Sequence, residues 1–384
     1  MQKGGGNLVT SILFYESRPE WGGAQKCELD LLLSLENDHV KTYFLTSTDG
    51  PMISRIKDAG KEPAIIQVND SINQIRKGQV KTGIFFLIQK FLYLLPHFIG
   101  VLFFILKNRI DIVYTSQFRS QLIVGWLAKL LGRKVVWHIH GEEKLDNLLG
   151  KFCVTFSDKI IVVSEKLKDQ YCGLFPKQKD KFHAVHNGIE IPTLTKNHSI
   201  RPFTISIVGT IIEGKRQDLA IRACGKLRKM GYSVHLNIIG EKPPWHSDDY
   251  KDTLARLIEE SDMADAVTFT GWVENPYAHL IESNAFILPS DTEGLPLSII
   301  EAMALGLPCI STNVGGVPEL IDNGKTGFII NPGSEHELME KLKFLIEHPS
   351  SCKRMGQAAR KRYEIYFTKA SFVKGVAGVL NTIK

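Results

Sequence analysis

Two glutamates eight residues apart, Glu293 and Glu301, lie in the stretch PSDTEGLPLSIIEAMALGLPCI that starts at Pro289. The pattern predicts a strand ending at Pro289–Ser290 and a short loop holding Glu293 and Gly294. A helix through Ile299–Leu305 follows, stopped by Gly306 and Pro308. Pro296 suits the first helical turn, where a missing N–H costs nothing. This order aims a helix N-terminus at the end of a strand. Backbone N–H groups of Gly294, Leu295 and Leu297 could then face an anion, helped by the helix dipole, and a diphosphate is the natural guest. Glu293 precedes the helix and Glu301 lies inside it, so the two are not a same-face helical pair. Each carboxylate can accept two hydroxyl hydrogen bonds, which suits vicinal diols. Taken alone, the spacing is more often an N-terminal glutamate plus a mid-helix ion pair.

Other stretches carry chemistry of the same kind. GTIIEGKRQDLAIRA, at Gly209–Ala223, follows a predicted strand and opens a helix. Lys215 and Arg216 place two cations there, suited to phosphate charge, although such a lysine is more often a surface residue. Trp21-Gly22-Gly23-Ala24 follows the first predicted strand. Paired glycines let backbone approach a ligand closely, and a plain turn is the commoner explanation. VVWHIHGE ends a predicted strand with His138 and His140 on one face. His138 reads as packed inside, and His140 as reaching the carboxyl end. HNGIEIP, at His186–Pro192, reads as a hinge or as a ligand contact.

The elements that must position these residues alternate short apolar runs with longer amphipathic ones, the βαβ signature of a parallel sheet covered by helices. Val9–Tyr15, Lys41–Thr46, Asp111–Thr115, Lys134–His140 and Lys159–Ser164 read as strands of a first half. Thr204–Val208, His235–Ile239, Val267–Thr270, Ala285–Pro289 and Pro308–Ser311 read as strands of a second. Open parallel sheets bind ligands outside the carboxyl ends of their strands. The expected organisation is a first domain over 1–190, a linker over 191–202 with Pro192 and Pro202 in it, and a second domain over 203–361. A C-terminal helix over 362–384 is open to packing back on the first.

Ile84–Leu106 is long and apolar, but Gln89, Lys90 and His97 interrupt it and Pro96 should kink it. It reads either as core helix or as an interfacial helix on an anionic membrane, with Arg76, Lys77, Lys81, Lys107 and Arg109 flanking it. The chain's net charge is only +6, yet residues 51–134 hold 13 Lys/Arg against 4 Asp/Glu. That block suggests an anionic surface as partner as readily as a solvated face. The small total and the lack of a basic–aromatic motif argue against nucleic acid. Six cysteines are scattered with no C-x-x-C pair, so neither a zinc site nor a disulfide framework is expected. The amino terminus lacks a leader's apolar core, and a cytoplasmic setting is expected, peripheral to the inner face of the plasma membrane if the basic block docks there.

The Glu293–Glu301 region, with its serine, glycine, proline and EAMA run, resembles the E-x7-E region of the retaining glycosyltransferase family 4. The resemblance extends from Gly22 to about Arg362. It implies an α/β architecture of the GT-B kind, two Rossmann-like domains facing across a cleft. It also implies transfer of a sugar from a nucleotide-diphosphate sugar, a UDP- or GDP-sugar, to a hydroxyl acceptor with retained configuration. In that family the first glutamate contacts the donor sugar and the second the ribose, roles carried here onto Glu293 and Glu301. A lysine at the place of Lys215 binds the donor diphosphate, with Arg216 beside it. The glycine loop at Gly22 and Gly23 lies near the phosphates and the acceptor, and His140 resembles the histidine near the donor sugar. Many members have an arginine directly after the glycine where this chain has Thr210. Either Lys215 and Arg216 share that charge or donor affinity is lower. The Asp248–Asp249 pair reads as solvated, so no metal and no cofactor are expected. A glycan or lipid-linked saccharide in surface polysaccharide synthesis is the expected acceptor. A nucleotide-sugar 2-epimerase and a non-catalytic nucleotide-sugar-binding member are the alternatives.

Overall fold

The computed structural model describes residues 9–69, 84–192, 202–244 and 246–383, and the side chains of 84–88 and 90 lie outside the description. The polar part of the expected linker, 193–201, and the basic residues Arg76, Lys77 and Lys81 also fall outside it. The chain divides into two units. The first comprises Met1–Val162, Lys168–Val185 and Val373–Lys384, and the second Val163–Leu167 and His186–Phe372. The last helix, Lys369–Asn381, thus adds most of its length to the first unit.

The first unit is a seven-stranded sheet. Its strands are β1 (Thr10–Glu16), β2 (Val40–Thr46), β3 (Ala64–Ile65), β4 (Ile112–Thr115), β5 (Lys134–Ile139), β6 (Lys159–Val162) and β7 (Phe182–Ala184). Their order is β3-β2-β1-β4-β5-β6-β7 with every pairing parallel. The second unit has β8 (Phe203–Val208), β9 (Val234–Ile239), β10 (Val267–Gly271), β11 (Ala285–Leu288), β12 (Cys309–Thr312) and β13 (Gly327–Ile330). Their order is β10-β9-β8-β11-β12-β13, again all parallel. Both are doubly wound. The order reverses between β1 and β4 in one sheet and between β8 and β11 in the other, the crevices where such sheets take ligands.

Buried apolar runs make these strands. Leu13 and Phe14 of β1 and Phe286, Ile287 and Leu288 of β11 are fully enclosed, as strands covered on both faces require. The ten strands expected from sequence are present within a few residues. β3, β7 and β13 escaped notice because two to four residues carry too little pattern. Asp249, one of the pair read as solvated, opens the helix Asp249–Glu260, where an acid favours the first turn.

The segment at 84–106 is one helix, Ile84–Lys107, continuous across Pro96. Phe98, Val101 and Ile105 pack into the first unit's core with Leu13, Leu45 and Val113. His97, on that face, is buried between the Tyr15 hydroxyl (2.8 Å) and the Ile66 carbonyl (2.7 Å), and burial lowers its proton affinity. Leu92, Leu95, Ile99, Phe103 and Leu106 are exposed at helical spacing on the other face. Among the described residues no helix is long and apolar enough to cross a membrane.

Candidate functional site

In the second unit the expected residues meet at the carboxyl edge, around the reversal between β8 and β11. The chain leaves β11 through Pro289 and Ser290 and turns at Glu293 and Gly294. It enters the helix Leu297–Ala304 from an extended Pro296. Pro296 has no side chain able to cap, so the first-turn N–H groups from Leu297 onward lack a side-chain cap there. The helix ends at Leu305, and Gly306, at φ +71°, takes the left-handed conformation that glycine reaches without strain. Glu301 sits in the second turn with most of its surface covered.

Lys215 and Glu293, 78 residues apart, form an ion pair at 2.6 Å. The Glu293 side chain keeps 8% of its exposure and Lys215 keeps 22%, so the pair is shielded but not sealed. The lysine stem runs past Gly209, within 3.7 Å of where a Cβ there would lie. Asp291 anchors the same corner by donating its N–H to the Gly214 carbonyl at 2.9 Å.

Arg216 adopts φ +55°, an uncommon conformation for a side-chain-bearing residue. It closes a one-turn 3-10 helix, Glu213–Lys215, and starts the helix Gln217–Lys229. Its guanidinium donates to Asp218 (3.1 Å) and Asp291 (3.2 Å), and the Asp218 bonds hold it further in its charged form. Backbone strain of this kind persists only where its surroundings enforce it. Thr210 offers its carbonyl to Gln217 Nε2 at 3.0 Å, and no cation stands at its position. The edge is thus a rim of two cations and three carboxylates, Asp218, Asp291 and Glu293, beside an uncapped helix start.

Sequence reasoning missed the loop that packs on this rim. Gly315 stands at φ +49°, and a Cβ on it would lie 1.8 Å from the Glu293 carbonyl oxygen. Gly316 donates its N–H to the Gly294 carbonyl at 2.7 Å. Only glycines allow that approach. The signal was present in the paired glycines of VGGVPE, which follow a strand and precede Pro318 at a helix start. Asn187, from HNGIEIP, donates to the Leu295 carbonyl at 3.1 Å and so holds the loop before the helix.

The remaining expected residues belong to the first unit. Gly22 is the extended residue before the helix Gly23–Ser34, with no side chain to cap it. His140 directly follows β5, and its ring lies against that of His138 with centroids 3.9 Å apart and planes tilted by 35°. His138 is fully buried, as expected, and its Nδ1 lies 2.6 Å from the Tyr114 hydroxyl. Burial first, then the neighbouring His140, pushes its proton affinity well below the ordinary histidine range, so His138 is neutral.

Residues 21–191 match the family model described as Glycosyltransferase Family 4, and residues 193–362 match the one described as Glycosyl transferases group 1. The capsular polysaccharide biosynthesis glycosyltransferase CapM of Staphylococcus aureus is 29% identical over 248 residues, covering 61% of this chain and 63% of CapM. The N-acetyl-alpha-D-glucosaminyl L-malate synthase of Bacillus anthracis is 26% identical over 276 residues, covering 66% of this chain and 70% of the synthase. The chain therefore spans roughly two thirds of these curated relatives. Among solved structures, Anabaena Alr3699/HepE in complex with UDP superposes with a TM-score of 0.78 at 16% identity, covering 98% of this chain and all of that one. The same protein has also been solved with UDP-glucose.

Proposed function

From the premise that this chain belongs to glycosyltransferase family 4 and has the GT-B fold, we propose that it transfers a sugar from a nucleotide-diphosphate sugar to a hydroxyl acceptor, with retention of configuration. The observation that carries the reading is the Lys215–Glu293 pair beside the uncapped start of the helix Leu297–Ala304. The departing diphosphate gains negative charge as the glycosidic bond breaks. Lys215, Arg216 and the first-turn N–H groups present positive charge and dipoles already in place, which favours the transition state over the ground state. Glu293 has a further part to play. While paired, it orients the lysine; with donor bound, its two oxygens can accept from vicinal sugar hydroxyls. Glu301 is the handle for the ribose. His140 and the backbone at Gly22 and Gly23 are the first unit's donor contacts on this reading.

UDP- or GDP-sugar is the donor class, and the UDP complexes of a protein with this fold support the first of these. The acceptor is a glycan or lipid-linked saccharide of surface polysaccharide synthesis, a reading supported by the part of CapM in capsular polysaccharide biosynthesis. Its presentation at an anionic membrane, docked through 76–109, accounts for the exposed apolar face of the helix Ile84–Lys107, whose residues include no acid. No metal or cofactor is part of this reading. A thermal-shift screen against UDP, GDP, ADP and their sugars tests it. Stabilisation by one nucleotide class, lost in Lys215→Ala, is the expected result, through linkage of binding to folding. Equal response to all three, or none, would remove the donor assignment. Incubation with donor alone separates transfer from 2-epimerisation, since an epimerised free donor would make the chain an epimerase.

A further inference from the structure

Two buried glutamates of the first unit have no part in the reaction above. Glu16 ends β1, and Glu28 lies on the inner side of the helix Gly23–Ser34; both are sealed from solvent. They meet at Ser116, the residue after β4. The Ser116 hydroxyl contacts Glu16 Oε1 and lies 2.8 Å from Glu28 Oε2. Glu16 Oε2 and Glu28 Oε1 are buried without a hydrogen-bond partner among the described residues.

The hydrogens can be counted. Ser116 has one hydroxyl hydrogen and can donate it to one carboxyl oxygen. Its second contact is a hydrogen bond only if the other carboxyl brings a proton and donates to the serine oxygen. Two carboxylates sealed together with so few donors would also leave two charges close in a low-dielectric interior. One proton removes one charge and completes the bridge. We infer that Glu16 and Glu28 share one proton at neutral pH, and that this proton clamps the helix Gly23–Ser34 and its leading glycines to β1 and to the end of β4.

Burial first, then the neighbouring glutamate, raises the proton affinity of Glu16, and burial raises that of Glu28. Among the described residues, the influences on the two carboxyls come from burial, from each other and from Ser116. Tyr114 of β4 keeps its proton because of burial, reinforced by Glu28, Cys27 and Glu16. Behind Tyr114, His138 of β5 is neutral. Arg119 acts on Tyr15, which also senses Glu16. The sign follows from linkage. The folded protein holds a proton that the unfolded chain releases in the ordinary carboxylate range. The clamp's contribution is therefore complete at acid pH and falls as pH rises through the raised folded value. This device does not depend on the donor assignment.

Infrared spectroscopy of the intact wild-type chain tests the shared proton directly. A protonated-carboxyl carbonyl band is expected at neutral pH, lost on titration to alkaline pH and lost in Glu16→Gln/Glu28→Gln. No such band in the wild type would overturn the inference, whatever the variants do. Thermal midpoints of wild type and Glu28→Gln from about pH 5 to about pH 9 test the clamp. The amide introduced by Glu28→Gln can donate in place of the proton, so the variant should gain on wild type as pH rises. A constant gap across that range would mean that the pair carries no pH-sensitive clamp.

Discussion

The two sheets share one winding order, yet their carboxyl edges hold charge in opposite ways. In the second unit Lys215, Arg216, Asp218, Asp291 and Glu293 are paired within 2.6 to 3.2 Å, and all but the buried Asp218 are partly open to solvent. In the first unit Glu16, Glu28, Tyr114 and His138 are sealed among strands and helix. Burial of a charge costs several kcal/mol unless a partner of opposite sign compensates, so groups without one change protonation instead. One edge is thereby a set of ion pairs whose groups keep their charge. The other is a hydrogen-bonded scaffold whose charge state follows pH.

That contrast can be broken at its strongest point. Lys215→Ala should lower kcat/KM for donor turnover by about 100-fold or more, the usual effect of removing a preorganised group facing developing charge, measured by steady-state kinetics. A loss under about fivefold would move the leaving-group work elsewhere. Gly315→Ala adds a Cβ into the Glu293 carbonyl at a left-handed φ. It should cost about 1–3 kcal/mol of stability and raise donor KM, read from denaturant unfolding and initial rates. A neutral outcome would mean that the 314–316 loop does not fix the rim.

Thr210→Arg sharpens the comparison by adding a cation to the charged edge. It should tighten donor binding by up to about tenfold in titration calorimetry, with the gain shrinking as salt rises. The smallest stability change belongs to the outer face of the helix Ile84–Lys107. Ile99→Ser with Phe103→Ser should shift folding stability by under about 1 kcal/mol, because both side chains are exposed. The same change should abolish flotation with anionic liposomes. Unfolding of this variant would make that face part of the core.

Much of the charged edge was legible from residue order. Strand, loop and helix from Ile287 to Ser311 follow from an apolar run, a glycine, a proline and a second glycine, each acting on its own backbone. Glu293 in the loop and Glu301 within the helix were placed correctly for that reason. Lys215 was legible as a cation at a helix start. Its choice of Glu293 was not, because nothing local relates residues 78 positions apart.

The sealed edge was far less legible. A lone glutamate after LFY and another in GGAQKCELDLL look like ordinary surface acids. One clue was available, since Glu28 shares helical spacing with Leu31 and Leu32, both buried. The two glutamates meet at Ser116, which lies 100 residues from Glu16 and 88 from Glu28. By itself the sequence determined the period of the elements, the two sheets and the residue types offered at each strand end, because those are set by neighbours along the chain. Only tertiary structure decided which offers were paired, which were buried and which therefore kept their charge. Desolvation and partner distance exist only once remote segments are brought together.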